Sequence, residues 1–177
     1  MREPSVAESR NEVLGGSSVS EVILRVATEA DIPMLAVHRA KMFEEMGTLP
    51  ASGFPALMQK TSHYLQGHLR ESYFAWVLEH EGNVVGSGGY QIRHSLPRPG
   101  QDGSVLGEHI QPIVLGMWVD APFRRQGHAR RIMDAILTDC RSKGYPSVVL
   151  HASEAGRPLY VSLGFVLTNE FALWLKE

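Results

Sequence analysis

Arg124, Arg125, Gln126, Gly127, His128 and Ala129 stand in a row just after the longest strongly apolar stretch of the chain, Ile113 to Val119. A buried strand that runs into a short turn and then opens a helix leaves amide N–H groups at the helix start without carbonyl partners. Those groups converge on one point beyond the strand end, and the helix dipole makes that point attractive to anions. Gly127 lets the backbone approach a ligand closely, Ala129 is small enough to keep the helix against a sheet, and Arg124 and Arg125 add positive charge. A pyrophosphate suits this chemistry. Taken alone, Arg124, Arg125, Arg130 and Arg131 read more simply as a solvated helix face, with a nucleic-acid patch as the other alternative.

Other reactive residue types point to less. Cys140 shares a helical face with Ile132, Met133 and Ile136, which makes it a packed thiol rather than a nucleophile. His63 and His68 are five apart, off one helical face, and no His-Glu-x-x-His pattern occurs, so no metal dependence is expected. Gly86, Gly88 and Gly89 inside one apolar run mark either a bulge or the close approach of an acceptor.

The elements that must hold these residues follow from periodicity and punctuation. Val22 to Val26 is β-branched and apolar; Thr28, Asp31 and Pro33 then start a helix with a capping side chain. That helix turns Ile32, Leu35, Ala36, Met42, Phe43 and Met46 inward and ends at Gly47. A second helix is predicted from Phe54 to about Arg70. Tyr73 to His80 and Val84 to Arg93 form a hairpin through Glu81-Gly82-Asn83, and His94 to Gln111 reads as a long functional loop. After the strand Ile113 to Val119 comes a long helix through Lys143, a strand from Ser147 to Ala152, a short helix from Arg157 to Leu163 and a last strand from Phe171 to Leu175. The order β-α-α-β-β-β-α-β-α-β predicts a single mixed sheet of the α/β class, with no internal repeat.

Composition narrows the setting. The 177 residues suit one domain, with residues 1–20 read as a flexible segment and 21–177 as the folded unit. Seventeen basic against nineteen acidic side chains give a net charge of -2, so neither nucleic acid nor an anionic membrane is an expected partner. The single cysteine rules out an intramolecular disulfide framework, and no apolar run nears the roughly 20 residues that cross a bilayer. The first residues carry no apolar signal core, and the expectation is a cytoplasmic protein.

A second block lies downstream: Arg157-Pro158-Leu159-Tyr160-Val161-Ser162-Leu163-Gly164-Phe165. Arg124-x-x-Gly127-x-Ala129 resembles the Arg/Gln-x-x-Gly-x-Gly/Ala acyl-CoA signature of the GNAT superfamily of N-acetyltransferases, and this second block resembles its Leu-Tyr-x-x-x-Gly-Phe element. The two are in the right order, with one helix and one strand between them. The resemblance extends over roughly residues 22 to 175 and implies a mostly antiparallel mixed sheet flanked by helices. It implies acetyl transfer from acetyl-CoA to the primary amine of a small molecule, directly within a ternary complex and without a metal; relatives are commonly homodimers.

The resemblance also distributes roles. Met117, Trp118, Val119, Arg124, Arg125, Gln126, Gly127, His128, Ala129, Arg130, Ser153 and Arg157 fall where relatives bind the cofactor. The N–H of Val119 would polarise the thioester carbonyl, a donor worth about 3 kcal/mol. Tyr160 matches the acid that protonates the departing thiolate. Ser153 stands where many members have Asn. An alkylamine of pKa about 10.4 must lose a proton at roughly 4.6 kcal/mol at pH 7, so a base or water chain is needed. His151, at the carboxyl end of its strand, is the leading candidate base, with Glu154, Glu44, Glu45, Glu108 and His109 as others. The acceptor is expected between the loops Met46 to Phe54 and His94 to Gln111. A non-catalytic acyl-CoA sensor or interaction module is the alternative reading.

Overall fold

In the computed structural model, residues 21–99, 102–107 and 109–168 are described. The expected strand Phe171 to Leu175, the segment 1–20 and Glu108 lie outside them.

Strand β1 (Ile23–Val26) feeds helix α1 (Ile32–Glu45) through a single 3₁₀ turn, Glu29–Asp31. The Thr28 N–H and hydroxyl both donate to Asp31 Oδ2, at 2.8 and 3.0 Å, which fixes the turn. Arg25 grips the same carboxylate with Nη1 at 2.7 Å and Nη2 at 2.9 Å. The Arg25 hydrogen bond, helped by Thr28 and working against burial, pulls the Asp31 carboxyl down from 3.8 to about 2. A depressed carboxylate adds stability that is present above its unfolded value and lost as pH falls through the folded one. Asp31→Asn should therefore cost about 1–2 kcal/mol at pH 7, discounted for the part-exposed arginine, and the difference should shrink between pH 4 and pH 2. Urea unfolding of both proteins at pH 7 and near pH 2 checks this.

Helix α1 buries Ile32, Leu35, Ala36, His38 and Ala40, but Met46, expected inside, falls past the last helical residue as the C-cap and is 48% exposed. Helix α2 (Phe54–Gln66) stops short of Arg70: Gly67 takes the C-cap, and Arg70 turns left-handed at φ 69° to redirect the chain into β2 (Tyr73–His80). Glu81 and Gly82, both at positive φ, make the two-residue turn to β3 (Asn83–Ser95).

The long loop expected from His94 to Gln111 is overturned. Strand β3 runs on to Ser95 and β6 (His109–Val119) begins early, pairing Ser95 with His109. Between them β4 (Arg98–Pro99) and β5 (Val105–Leu106) form a small ribbon. Pro97, Pro99, Gly100 and Gly103 give this segment the punctuation of a loop, and within β6 Pro112 lacks the ladder N–H. It is tolerated because Ile92, opposite it, donates its N–H to Ser72 on the other side at 2.8 Å, which makes Ile92–Pro112 a non-hydrogen-bonded pair.

Helix α3 (His128–Ser142) follows, then β7 (Val149–Leu150), shorter than the expected Ser147 to Ala152, and α4 (Arg157–Ser162). The sheet order is β1-β2-β3-β6-β7, antiparallel except for the parallel β6–β7 pair. Alternation along β2 sends Tyr73, Ala75 and Val77 toward α1 and α2, and Phe74, Trp76 and Leu78 toward α3. On the α3 side Ile132, Met133, Ile136 and Cys140 are buried as expected, and burial pushes the Cys140 thiol up to about 11. Among the described residues no helix is long and apolar enough to cross a membrane.

Candidate active site

Strand β6 carries one residue too many. Gly89 pairs with Leu115 and Ser87 with Trp118, so Gly116 and Met117 together face Gly88, and Gly116 absorbs the kink at φ 66°. Beyond the bulge, Asp120 N–H donates to Val85 C=O at 2.9 Å. That bond makes Gly86–Val119 a non-hydrogen-bonded pair and turns the N–H and C=O of Val119 away from β3, toward the β7 side. Strand β7 pairs with β6 only at Ile113–Val149 and Val114–Leu150. Val119 thus lies past the last residue that β7 pairs, with its N–H facing that side.

The next residues build a cradle of amides. After a 3₁₀ turn at Ala121–Phe123, Arg124 is extended, Arg125 is left-handed at φ 63°, and Gly127 is left-handed at φ 81° as the N-cap of α3. The Arg131 N–H bonds back to Gly127 C=O at 3.0 Å, which leaves the N–H groups of His128, Ala129 and Arg130 ahead of the first helical turn. Left-handed residues beside a helix start make a concave anion nest. A Cβ built on Gly127 meets nothing within 4 Å, so the glycine serves its φ and the space in front of it.

The side chains of this segment are placed less uniformly than the sequence suggested. Arg124 turns back: Nε donates to Val119 C=O at 2.8 Å, Nη1 and Nη2 hold Glu45 at 3.0 and 2.8 Å, and the guanidinium lies 4.7 Å over the Trp118 ring. It positions the loop instead of facing the nest. Arg125 is exposed and makes no hydrogen bond or ion pair with the described residues, which makes it the free cation there. Gln126 Nε2 donates to Pro122 C=O at 3.0 Å, and Arg130 reaches Ser162 on α4 at 3.2 Å. His128 points inward, buried, with its pKa lowered by burial and by Arg131, so only its backbone faces the nest. Met117 packs into the core beside Gly88, where a Cβ would collide with its Sδ and with Ile132.

The second block follows β7 and packs Leu159, Tyr160, Leu163 and Phe165 against the core on the α3 side of the sheet. Ser153 fixes the turn that leads into α4, its Oγ accepting Gly156 N–H at 3.2 Å and its C=O accepting Arg157 N–H at 3.0 Å, a local job its short hydroxyl can do, while Gly156 is the N-cap. Arg157 is exposed at the first residue of the helix. Tyr160 is half-buried, edge-on to Phe165 with ring centres 6.0 Å apart, and burial raises its pKa above 10. Its hydroxyl has no hydrogen-bond partner among the described residues. His151 is exposed just past Leu150, and the register Val114–Leu150 sets it level with Leu115. Glu44 and Glu154 are exposed, and Glu45 is committed to Arg124.

On the opposite side of the bulge, toward α1 and α2, lies a cavity of about 340 Å³ lined by Leu35, Arg39, Leu57, Lys60, Thr61, Tyr64, Leu65, Tyr73, Ser87, Gln91, Leu115 and Gly116. Neither loop expected to line an acceptor pocket contributes to it. Behind Ser87 sits a residue the sequence reading missed: His38, fully buried, with Nδ1 2.9 Å from Ser87 Oγ. The next turn of α1 ties Lys41 to Asp120 at 3.0 Å, and Asp120 also accepts Trp118 Nε1 at 2.9 Å. A His on the inner face of a helix, opposite a glycine-flanked Ser in a buried strand, was the available signal.

Burial drives the His38 pKa from 6.5 down to about 4, so the ring is neutral at pH 7. The unfolded chain takes up that proton near 6.5 and the folded protein only near 4, so the stability it confers is whole above pH 6.5 and erodes as pH falls toward 4. His38→Gln should flatten that part of the Tm-against-pH curve, which thermal unfolding of both proteins from pH 7 to pH 4 measures.

Comparison with known proteins places this geometry. The model of the acetyltransferase (GNAT) family matches residues 36–165. Human N-acetyltransferase 8 is 30% identical over 106 residues, a match covering 57% of this chain and 43% of that protein, so the chain spans less than half of the relative's length. A GCN5-related N-acetyltransferase from Ralstonia eutropha superposes with a TM-score of 0.77 at 26% identity, covering 88% of this chain and 99% of that one. A predicted acetyltransferase from Clostridium acetobutylicum, solved with acetyl-CoA, shares the fold at a TM-score of 0.71 and 19% identity over 87% of this chain and 96% of its own. Since the family match runs from within α1 to Phe165 and takes in the bulged strand, the amide nest and Tyr160, the chain belongs to the acetyltransferase (GNAT) family.

Proposed function

We propose that this protein transfers the acetyl group of acetyl-CoA directly to the primary amine of a small molecule held in the same complex. The observation that carries the reading is the continuity between the amide nest at Gly127–Arg130 and the outward-facing N–H of Val119 beside β7. The nest suits a pyrophosphate, and the open space in front of Gly127 suits its close approach. Acetyl-CoA, when bound, supplies an activated acyl group as a thioester. The Val119 N–H is aimed to hydrogen-bond the thioester carbonyl, where a preorganised donor contributes about 3 kcal/mol as negative charge develops on oxygen. Tyr160, a phenol that burial shifts further toward its protonated form, donates its proton to the departing sulfur. His151, level with Leu115, takes the amine proton directly or through water. Ser153 and Gly156 hold the start of α4, and Arg157 and Arg130 flank it as charges for the cofactor. A cytoplasmic setting is part of the proposal, supported by a lone, unpaired Cys140.

Calorimetric titration with acetyl-CoA tests the cofactor half. Saturable binding that weakens with added salt is expected, and Arg125→Ala should raise Kd several-fold while turnover at saturating acetyl-CoA changes little. A large fall in kcat with unchanged Kd would instead place Arg125 at the reacting atoms.

A further inference from the structure

The cavity between α1, α2 and the bulge has an unbalanced lining. Arg39 and Lys60 are its two cations, and no Asp or Glu lines it. Neither cation makes an ion pair with the described residues; the Arg39 guanidinium rests 4.9 Å over the Phe43 ring, a contact that leaves its N–H fork available. Leu35, Leu57, Leu65 and Leu115 form apolar walls, and Gln91 and Tyr64, joined at 2.8 Å, add a polar pair. Leu115 and Gly116 put the floor of the cavity on the bulge itself.

Building on the acetyl-transfer reading, we infer that the acceptor is an amine with an apolar body that also carries an anionic group, a carboxylate or a phosphate, held by Arg39 and Lys60. An ammonium group alone would enter a cavity with two like charges and no counter-ion, which opposes binding. An anion on the same molecule turns those charges into charge-assisted hydrogen-bond donors. The same cations disfavour the protonated form of the amine and so assist the deprotonation that transfer requires. The lining therefore selects substrate and prepares its nucleophile together.

The test compares matched pairs on the full chain: leucine with 3-methylbutylamine, phenylalanine with 2-phenylethylamine, and O-phosphoethanolamine with ethanolamine. The readout is kcat/KM from CoA release. At least one anionic member should exceed its neutral partner by about tenfold or more, through KM. The first two pairs report a carboxylate and the third a phosphate. Arg39→Gln and Lys60→Gln should each collapse that preference toward unity, chiefly by raising KM for the anionic member. Equal or better turnover of the neutral amine in all three pairs overturns the inference, as does a preference that survives both substitutions. If no pair is turned over, thermal shifts of the acetyl-CoA-loaded protein decide: an anionic member must raise Tm more than its partner, and failure to do so overturns the inference. Absence of any shift with acetyl-CoA itself marks failure of the acetyl-transfer reading instead.

Discussion

Gly127→Val is expected to remove most of the rise in thermal stability that acetyl-CoA should give the protein. A ligand at 100 times its Kd stabilises the native state by about 2.7 kcal/mol, and the variant should keep only a small part of that. Two physical effects combine. Gly127 sits at φ 81°, where a β-branched residue is strained by about 1–3 kcal/mol, so the N-cap of α3 and the amides around it shift. The side chain also fills space that is empty in the free protein, where a Cβ meets nothing within 4 Å, so the steric loss falls on the ligand. Each protein must be compared with its own ligand-free Tm, since the backbone strain lowers that baseline. A folded variant that shifts as much as wild type would remove the amide nest from the account.

Tyr160→Phe is expected to slow acetyl transfer by roughly 10- to 10³-fold, with acetyl-CoA affinity kept within a few-fold. The estimate rests on the leaving group: a thiol of pKa about 8.5 departs fairly well unprotonated, so general acid catalysis contributes toward the lower end of its range. Phenylalanine keeps the edge-on contact with Phe165 and the fit beside Gly156, where a Cβ would lie 2.9 Å from Tyr160 Cε2, and so isolates the hydroxyl. Because that hydroxyl bonds to no described residue, its loss costs the free protein little stability. Single-turnover kinetics with circular dichroism as a folding control would show the effect; an unchanged transfer rate would leave Tyr160 as a packing aromatic.

Which parts of this were legible in the sequence follows from the range of each interaction. Thr28 and Asp31, Glu81 and Gly82, and Gly127 act within a few residues, so the α1 start, the β2–β3 turn and the α3 cap could be read locally. The family resemblance rested on the same local blocks, and the family match bears it out. Pro97, Pro99, Gly100 and Gly103 made His94 to Gln111 read as a loop, because the Ser95–His109 pairing that extends β3 and β6 exists only once the sheet is assembled. The inward turn of Arg124 depends on Glu45, 79 positions away, and the His38–Ser87 pair spans 49 positions, so neither leaves a spacing to recognise. The cavity went unread for the same reason: α1 and α2 line it, and their polar residues look like solvated faces until the helices are laid against the bulge.

The central claim is that this chain moves an acetyl group, and the most direct test is the stoichiometry of one turnover. Protein in excess over acetyl-CoA is mixed with an amine panel, quenched, and assayed by mass spectrometry for free CoA and N-acetylated amine. The account predicts that the two form in equal amounts, only when amine is present, and with no acetyl group left on the protein. Acetyl-CoA that binds tightly but stays intact with every amine would contradict it and leave a non-catalytic acyl-CoA-binding module.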